Sequence, residues 1–333
     1  MKTAFPILLL AIAEPAKALA LSGVVCRLRQ EIPNARITLV TTRLSAELFQ
    51  DDDLVDELQA IDGAIFQLKT LGVLTDLSRR SWGLCVDIGP TMISRLIPAK
   101  TRFTLNANDP AGPLTQLCRA LRLDEAEVAP SLRVSPARQA GVRTFLDNGR
   151  GIAPLIVMAP GAGWLGRRWP TERFAVLATR LMRNDGPFAG HSLLILGSQD
   201  DYETAVALRM ATPRARVLEL TGKLDLLSAY AALRHGSVFV GNDEIWLHLA
   251  AASGIETFAL MGPSDDAVAP IGDNVHIIRG PRSFSAIQAA DPKLKLDICH
   301  MLDLSIDTVY DGIVRVTESN GRARKAAAEA VAE

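Results

Sequence analysis

Several things are scarce in this 333-residue chain, and each scarcity removes a class of function. Aromatic residues make up only 5%, and there are four cysteines. These are Cys26, Cys85, Cys118 and Cys299, scattered without a Cys-x-x-Cys pair. Neither a disulfide framework nor a thiolate metal site is indicated, and the pattern fits a reducing cytoplasm. Cys26 and Cys85 fall in apolar periodic runs and read as small core residues. Net charge is almost absent, at −1, so no overall field draws the chain to nucleic acid or to an acidic membrane. No run reaches the roughly 18–20 apolar residues of a membrane span. A nicotinamide-dependent dehydrogenase is disfavoured as well, because positions 10–23 hold a single glycine, Gly23, and no Gly-x-Gly-x-x-Gly.

What is present is the composition of a folded globular protein, 48% hydrophobic and 22% charged. The length favours two domains over one core. Positions 5–13 can be read as the apolar part of a secretory leader, or positions 7–12 as a first strand. The strand reading is preferred, because a helix over about 17–31 and a second strand at 37–41 follow directly as a strand-helix-strand unit. Further strands are expected at 64–68, 84–88 and 101–105. Such alternation implies a parallel sheet covered on both faces. The pattern loosens over 106–153, apart from an amphipathic segment at 136–146. A second alternating block then runs from 155 to 260, with strands at 155–159, 192–196, 217–220, 238–240 and 257–260. A last helix is expected from 306 to about 316, followed by a charged, Ala-rich tail. The expected division is 1–150, 151–316 and a tail of 317–333, with a ligand cleft between the two domains at the carboxyl ends of the strands.

Two stretches of the second block carry chemistry. In Val238-Phe239-Val240-Gly241-Asn242-Asp243-Glu244-Ile245-Trp246-Leu247-His248, a β-branched run ends in a polar turn and a helix starts at once. That geometry suits an anionic ligand at a helix N-terminus. His248 reads either as a hydrogen-bonded core histidine or as a residue of the ligand site. In Ala159-Pro160-Gly161-Ala162-Gly163-Trp164-Leu165-Gly166-Arg167-Arg168-Trp169-Pro170, small residues and two arginines follow a strand. Backbone N–H groups and guanidinium both complement a diphosphate. The bland alternative is a glycine turn with solvated arginines. Thr171 is expected to cap the helix that follows.

These stretches resemble the heptosyltransferases of glycosyltransferase family 9. Trp169-Pro170-Thr171-Glu172-Arg173-Phe174 matches the family's Trp-Pro-x-Glu-x-(Phe/Trp), and Asp243 and His248 fall on its Asp-(Ser/Thr)-Gly and His-Leu-(Ala/Thr)-Ala signature. Phe258-Ala259-Leu260-Met261-Gly262-Pro263-Ser264 and Cys299-His300-Met301 match later motifs. The resemblance covers 155 to about 316. It implies an α/β fold in the GT-B arrangement, two Rossmann-like parallel-sheet domains facing a central cleft. It further implies an inverting, metal-independent transfer of sugar from a nucleotide-sugar, ADP-linked by preference, to a saccharide or lipopolysaccharide acceptor. The expected place is the cytoplasmic, inner face of the membrane, with no cofactor, no metal and no nucleic acid. The nucleotide-sugar residues it implies are Gly161, Ala162, Arg167 on the diphosphate, Asp201 on the ribose, Leu224 in the turn beside the adenine, Asp243, Glu244 and His248.

The chain departs from that pattern at two places. The family's Arg-x-x-x-(Leu/Ile)-Gly-Asp, whose Asp is the proposed general base, falls on Ala11 to Lys17, so an ammonium stands where a carboxylate is needed. Glu14, in the same loop, is the remaining candidate base. Asp87-Ile88-Gly89 resembles the family's Asp-x-Gln-Gly without the Gln. Glu244-Ile245 replaces Thr-Gly and brings a negative charge towards a diphosphate, although a carboxylate there suits the helix dipole. Two readings follow: an active heptosyltransferase-like enzyme, or a catalytically inactive relative that serves as a binding or assembly module.

Overall fold

The computed structural model describes residues 4–61, 68–89, 92–106, 109, 111–124, 128–147, 151–212, 217–295 and 297–332. The chain divides into two compact units, Met1–Val142 with Asp225–Ala231, and Arg143–Leu224 with Ala232–Glu333. The boundary thus lies a few residues before the expected one. In addition, a short piece of the later sequence packs with the first unit.

The first unit is built on five strands: β1 (Phe5–Ala11), β2 (Ala35–Thr42), β3 (Glu57–Ile61), β4 (Trp82–Asp87) and β5 (Ala99–Thr104). All are parallel, in the order β3-β2-β1-β4-β5. Positions 5–13 therefore supply the central strand, and its residues from Ile7 to Ala11 are fully buried. A continuous apolar run is what a strand covered on both faces requires. The third strand is a correction. It lies at Glu57–Ile61, where none was expected; of the strand expected at 64–68, positions 64–67 lie outside the described residues and Leu68 opens a helix. Alternation is weak in Glu57-Leu58-Gln59-Ala60-Ile61, an edge strand, which is why periodicity passed over it. The segment after β1 forms two helices, Pro15–Leu19 and Leu21–Glu31. Cys85 is fully buried, and burial raises its thiol pKa to about 11. Cys26 is only partly buried, contrary to its reading as a core residue.

Gly23 has a structural reason of its own. A Cβ on it would lie 2.2 Å from the carbonyl oxygen of Val128, so the helix can pass the 128–129 backbone only as glycine.

The second unit carries β6 (Leu155–Ala159), β7 (Ser192–Ile195), β8 (Val217–Glu219), β9 (Gly236–Asn242), β10 (Glu256–Met261) and β11 (Val275–Arg279). They form a parallel sheet ordered β11-β10-β9-β6-β7-β8. The strand direction of travel reverses between β6 and β9, which makes that gap a topological switch point. β11 and the helix Phe284–Ala290 were not anticipated. The helix starting at Thr171 is capped by no side chain; Pro170 holds the N-cap position, so Thr171 is its first residue instead of its cap. The chain ends in one helix, Ile306–Ala332, that includes the expected tail. No described helix is long and apolar enough to cross a membrane.

Arg138 ties the returning segment 225–231 to the rest of the first unit. Its Nε donates to Asp51 Oδ2 at 2.9 Å, and Nη1 donates to Asp225 Oδ2 at 2.6 Å and to Ser228 Oγ at 2.8 Å. Leu226 N–H adds a bond to Glu47 Oε2 at 3.0 Å. The guanidinium side chain is 17% exposed and Asp51 12%, so the cluster is largely shielded from water.

The Arg138 hydrogen bond holds the Asp51 carboxyl down at about 2, against 3.8 for a free aspartate. A depressed carboxyl pKa stabilises the fold above the unfolded value, and that stabilisation is lost as pH falls through the folded one. Arg138→Met is expected to destabilise the first unit by about 3 kcal/mol, because it strands two carboxylates. Urea unfolding followed from pH 5 to pH 2 checks this: the wild type should lose stability over that window, and the variant should lose less.

Candidate functional site

The carboxyl ends of β6 and β9 meet at the switch point, and one buried side chain joins them. Asn242, 1% exposed, donates from Nδ2 to the carbonyls of Pro160 at 2.9 Å and Gly161 at 3.1 Å. Its Oδ1 accepts from the Trp169 N–H at 3.1 Å. A single amide thus fixes the turn after β6 and the start of the next element. Asn242 was not among the expected site residues. The Gly-Asn-Asp run is visible in the sequence, but nothing local to it marks the amide as the link to residues 73 to 82 positions earlier.

Trp169 is fully buried; its Nε1 donates to the Leu304 carbonyl at 2.9 Å, and its ring lies edge-on to Phe174 at 4.9 Å. Glu172 between them is exposed. The Trp-Pro-x-Glu-x-Phe motif is accordingly a packing device that positions the basic turn before it.

That turn carries Arg167 and Arg168. Arg168 Nη2 donates to the Ala162 carbonyl at 2.9 Å, and Cys299 Sγ–H donates to the Arg168 carbonyl at 3.4 Å. Arg167 Nε stands 3.7 Å from Asp243 Oδ2. That separation is an ion pair too long for a hydrogen bond, and both atoms are buried without a hydrogen-bond partner. The guanidinium also lies 5.9 Å from the Trp164 ring centre.

Asp201 lies in the short turn after β7. Its Oδ2 accepts from Ser198 N–H at 2.9 Å and Ser198 Oγ–H at 2.8 Å. Its Oδ1 lies only 2.0 Å from where a Cβ on Gly161 would be, so the carboxylate presses on the β6 turn and only glycine fits there. The turn after β8 packs beside it: Gly222 N–H donates to the Gly197 carbonyl at 2.9 Å. Leu224, two residues on, is partly buried.

Glu244 is the N-cap residue of the helix Ile245–Ser253, yet it makes no side-chain cap. Its carboxylate instead crosses to the β6 turn and accepts from the Gly163 N–H at 2.6 Å. Burial raises its pKa. The Gly163 N–H and Arg167 oppose that rise, whereas Asp243 and Asp201 add to it. His248, one turn into the helix, has Nε2 4.0 Å from Asp243 Oδ1. Burial lowers its pKa and Asp243 offsets only part of that, so the ring is neutral at pH 7. Trp246 and Leu247 pack into the interior.

The structure therefore brings Gly161, Ala162, Arg167, Asp201, Asp243, Glu244 and His248 to one edge of the second sheet, with Leu224 on the neighbouring turn. Glu14 and Lys17 belong to the first unit. Glu14 is the exposed N-cap residue of the helix Pro15–Leu19 and Lys17 is exposed within it. Asp87 is fully buried at the end of β4, where Oδ1 accepts from the Gly89 N–H at 3.1 Å.

A model of glycosyltransferase family 9 (heptosyltransferase) matches residues 114–295, more than half of the chain. The chain belongs to this family. It is 32% identical over 158 residues to lipooligosaccharide heptosyltransferase 2 of Haemophilus influenzae, 45% of this chain and 44% of that protein. Over 143 residues it is 29% identical to lipopolysaccharide heptosyltransferase 2 of Salmonella typhimurium, 41% of this chain and 40% of that one. The matched region thus spans less than half the length of these curated relatives. The fold is shared more widely. A family 9 glycosyltransferase of Veillonella parvula superposes with a TM-score of 0.81 at 16% identity, over 96% of this chain and 99% of that one. The E. coli heptosyltransferase WaaC with ADP gives 0.70 at 15%, over 93% and 99%. The family 9 chain is thus an α/β protein of the GT-B class, with two parallel-sheet, Rossmann-like domains.

Replacing Asn242 by leucine would leave the buried Trp169 N–H and the Pro160 and Gly161 carbonyls without partners. Asn242→Leu is expected to destabilise this family 9 chain by about 3 kcal/mol, read as a lowered urea midpoint.

Proposed function

We propose that this chain is a heptosyltransferase-like glycosyltransferase, moving a sugar from a nucleotide-sugar, ADP-linked by preference, to a saccharide or lipopolysaccharide acceptor. The observation that carries this reading is the pair of buried, unsatisfied atoms at the switch point, Arg167 Nε and Asp243 Oδ2, beside a helix whose first turn no side chain caps. Buried polar atoms normally find partners. A guanidinium and free helix N–H groups together suit phosphate oxygens. Similar solved proteins include a heptosyltransferase with ADP and one with ADP-2-deoxy-2-fluoro heptose, which supports the choice of nucleotide.

In an inverting transfer the acceptor hydroxyl attacks the anomeric carbon as the bond to the diphosphate breaks, and a base takes the hydroxyl proton. Arg167 and the start of the helix Ile245–Ser253 would stabilise the charge that develops on the leaving diphosphate. Asp201 would face the ribose and the turn ending at Leu224 the adenine. His248, being neutral, can both donate and accept a hydrogen bond. Glu14 is the candidate base on the acceptor side. The reaction as drawn takes place on the cytoplasmic side, with a peripheral approach to a membrane-bound acceptor.

A second reading, a member that binds without transferring, draws support from Lys17. It occupies the position of the family's proposed base and is exposed, and a lysine supplies no carboxylate there to take the acceptor hydroxyl proton.

Calorimetric titration with ADP, UDP, GDP and ADP-heptose tests both. Micromolar binding of ADP is expected, weakened about tenfold or more by Arg167→Ala through loss of a charge-assisted contact. No binding of any nucleotide would sink the transferase reading. ADP-heptose that binds but is never turned over with any lipopolysaccharide core acceptor would leave the binding module. Loss of turnover in Glu14→Gln, with nucleotide affinity kept, would identify the base.

A further inference from the structure

Within the second unit, the Glu244 carboxylate makes a contact that its position in the chain does not call for. As an N-cap residue it has its own helix N–H groups within reach, yet it turns to an N–H 81 positions away, at 2.6 Å. The contact is not needed to join the two loops, because Asn242 already does so with three bonds. Its partner is the backbone N–H of Gly163, which donates to it from the turn that the nucleotide-sugar reading gives to the diphosphate.

The groups facing Glu244 are the Gly163 N–H and the Arg167 guanidinium, both favouring its charge, and the carboxylates of Asp243 and Asp201, both opposing it. Arg167 is already paired with Asp243 at 3.7 Å. A third carboxylate therefore shares one cation and one N–H with any incoming anion.

We propose that Glu244 is a specificity-determining residue of the donor site, a resident carboxylate that holds the Gly163 N–H a donor phosphate oxygen would use. This rests on the nucleotide-sugar reading above. A fully ionised diphosphate binds only when Glu244 gives up that N–H, by rotating away or by accepting a proton. Like charges brought together beside a partly buried carboxylate repel, so both routes oppose a diphosphate. The site thereby discriminates against a free nucleoside diphosphate, and it binds one better as pH falls. The sign is consistent: burial already favours the protonated form of Glu244, and a neighbouring phosphate favours it further.

The experiment is calorimetry of the full chain with ADP as the probe, in two buffers of different ionisation enthalpy, for the wild type, Glu244→Thr and Glu244→Gln. Glu244→Thr is expected to bind ADP at least about tenfold more tightly than the wild type at pH 8, a gap that narrows by pH 6. Wild-type binding should take up a proton beyond the uptake shown by Glu244→Thr. Glu244→Gln keeps an acceptor for the Gly163 N–H without the charge, so it should fall between the two in affinity and match Glu244→Thr in proton uptake. If Glu244→Thr does not fold, the glutamine variant decides the matter by the same two readouts. Equal ADP affinities and equal proton uptake in wild type and variants would overturn this proposal while leaving the nucleotide reading intact. A purely structural carboxylate would give that result, with a lowered melting temperature alone. ADP binding to none of the three proteins would overturn both.

Discussion

Three hydrogen bonds from the buried amide of Asn242 join the end of β9 to the turn after β6 and to the backbone of Trp169. The basic turn and the start of the Ile245 helix are joined through Asn242. It holds the β6 turn where Asp201 can press on Gly161, and it sets the Trp164–Arg168 segment so that Arg167 stands over Asp243. It also brings the start of the Ile245 helix close enough for Glu244 to reach Gly163. An amide suits the place because it both donates and accepts. A carboxylate there would meet two carbonyl oxygens, and an aliphatic side chain would leave all three partners bare.

The charge balance that results sets three carboxylates, Asp201, Asp243 and Glu244, around the basic turn. Arg168 donates to the Ala162 carbonyl, and Arg167 faces Asp243 and Glu244. Asp201 is largely occupied by its own turn. Asp243 and Arg167 stand too far apart for a hydrogen bond, with buried atoms unsatisfied on both sides. Glu244 takes a backbone N–H. In the first unit the same kind of chemistry is resolved differently. Arg138 there satisfies Asp51, Asp225, Ser228 and Gln50 together, which ties the segment 225–231 to the sheet on the far side of the sequence. One arginine is saturated and structural, and the other has a buried Nε without a hydrogen-bond partner.

Much of this was legible in the order of residues. Alternating apolar runs at 7–12, 37–41, 84–88 and 101–105, and again from 155 to 260, mark two parallel sheets, because a strand buried on both faces has little choice of composition. The Trp-Pro-x-Glu-x-Phe and Gly-Asn-Asp segments mark the family, and most of the expected nucleotide-side residues share one edge of the second sheet. The failures have local causes. Glu57-Leu58-Gln59-Ala60-Ile61 is an edge strand with too few apolar residues to stand out. Thr171 is displaced as a cap by Pro170, whose backbone already takes that place. Cys26 lies on the rim of its helix and is only partly covered.

The sequence by itself determined the two-sheet α/β architecture, the family, and the two departures at Lys17 and Glu244-Ile245, since burial pattern and motif spacing are properties of a linear string. Only the tertiary structure decided that 225–231 belongs with the first unit, that Asn242 is the junction, and that the Glu244 carboxylate leaves its own helix for Gly163. Each of these depends on which partner a polar side chain finds 73 to 179 positions away. That choice is made by packing geometry and desolvation, which no local pattern encodes.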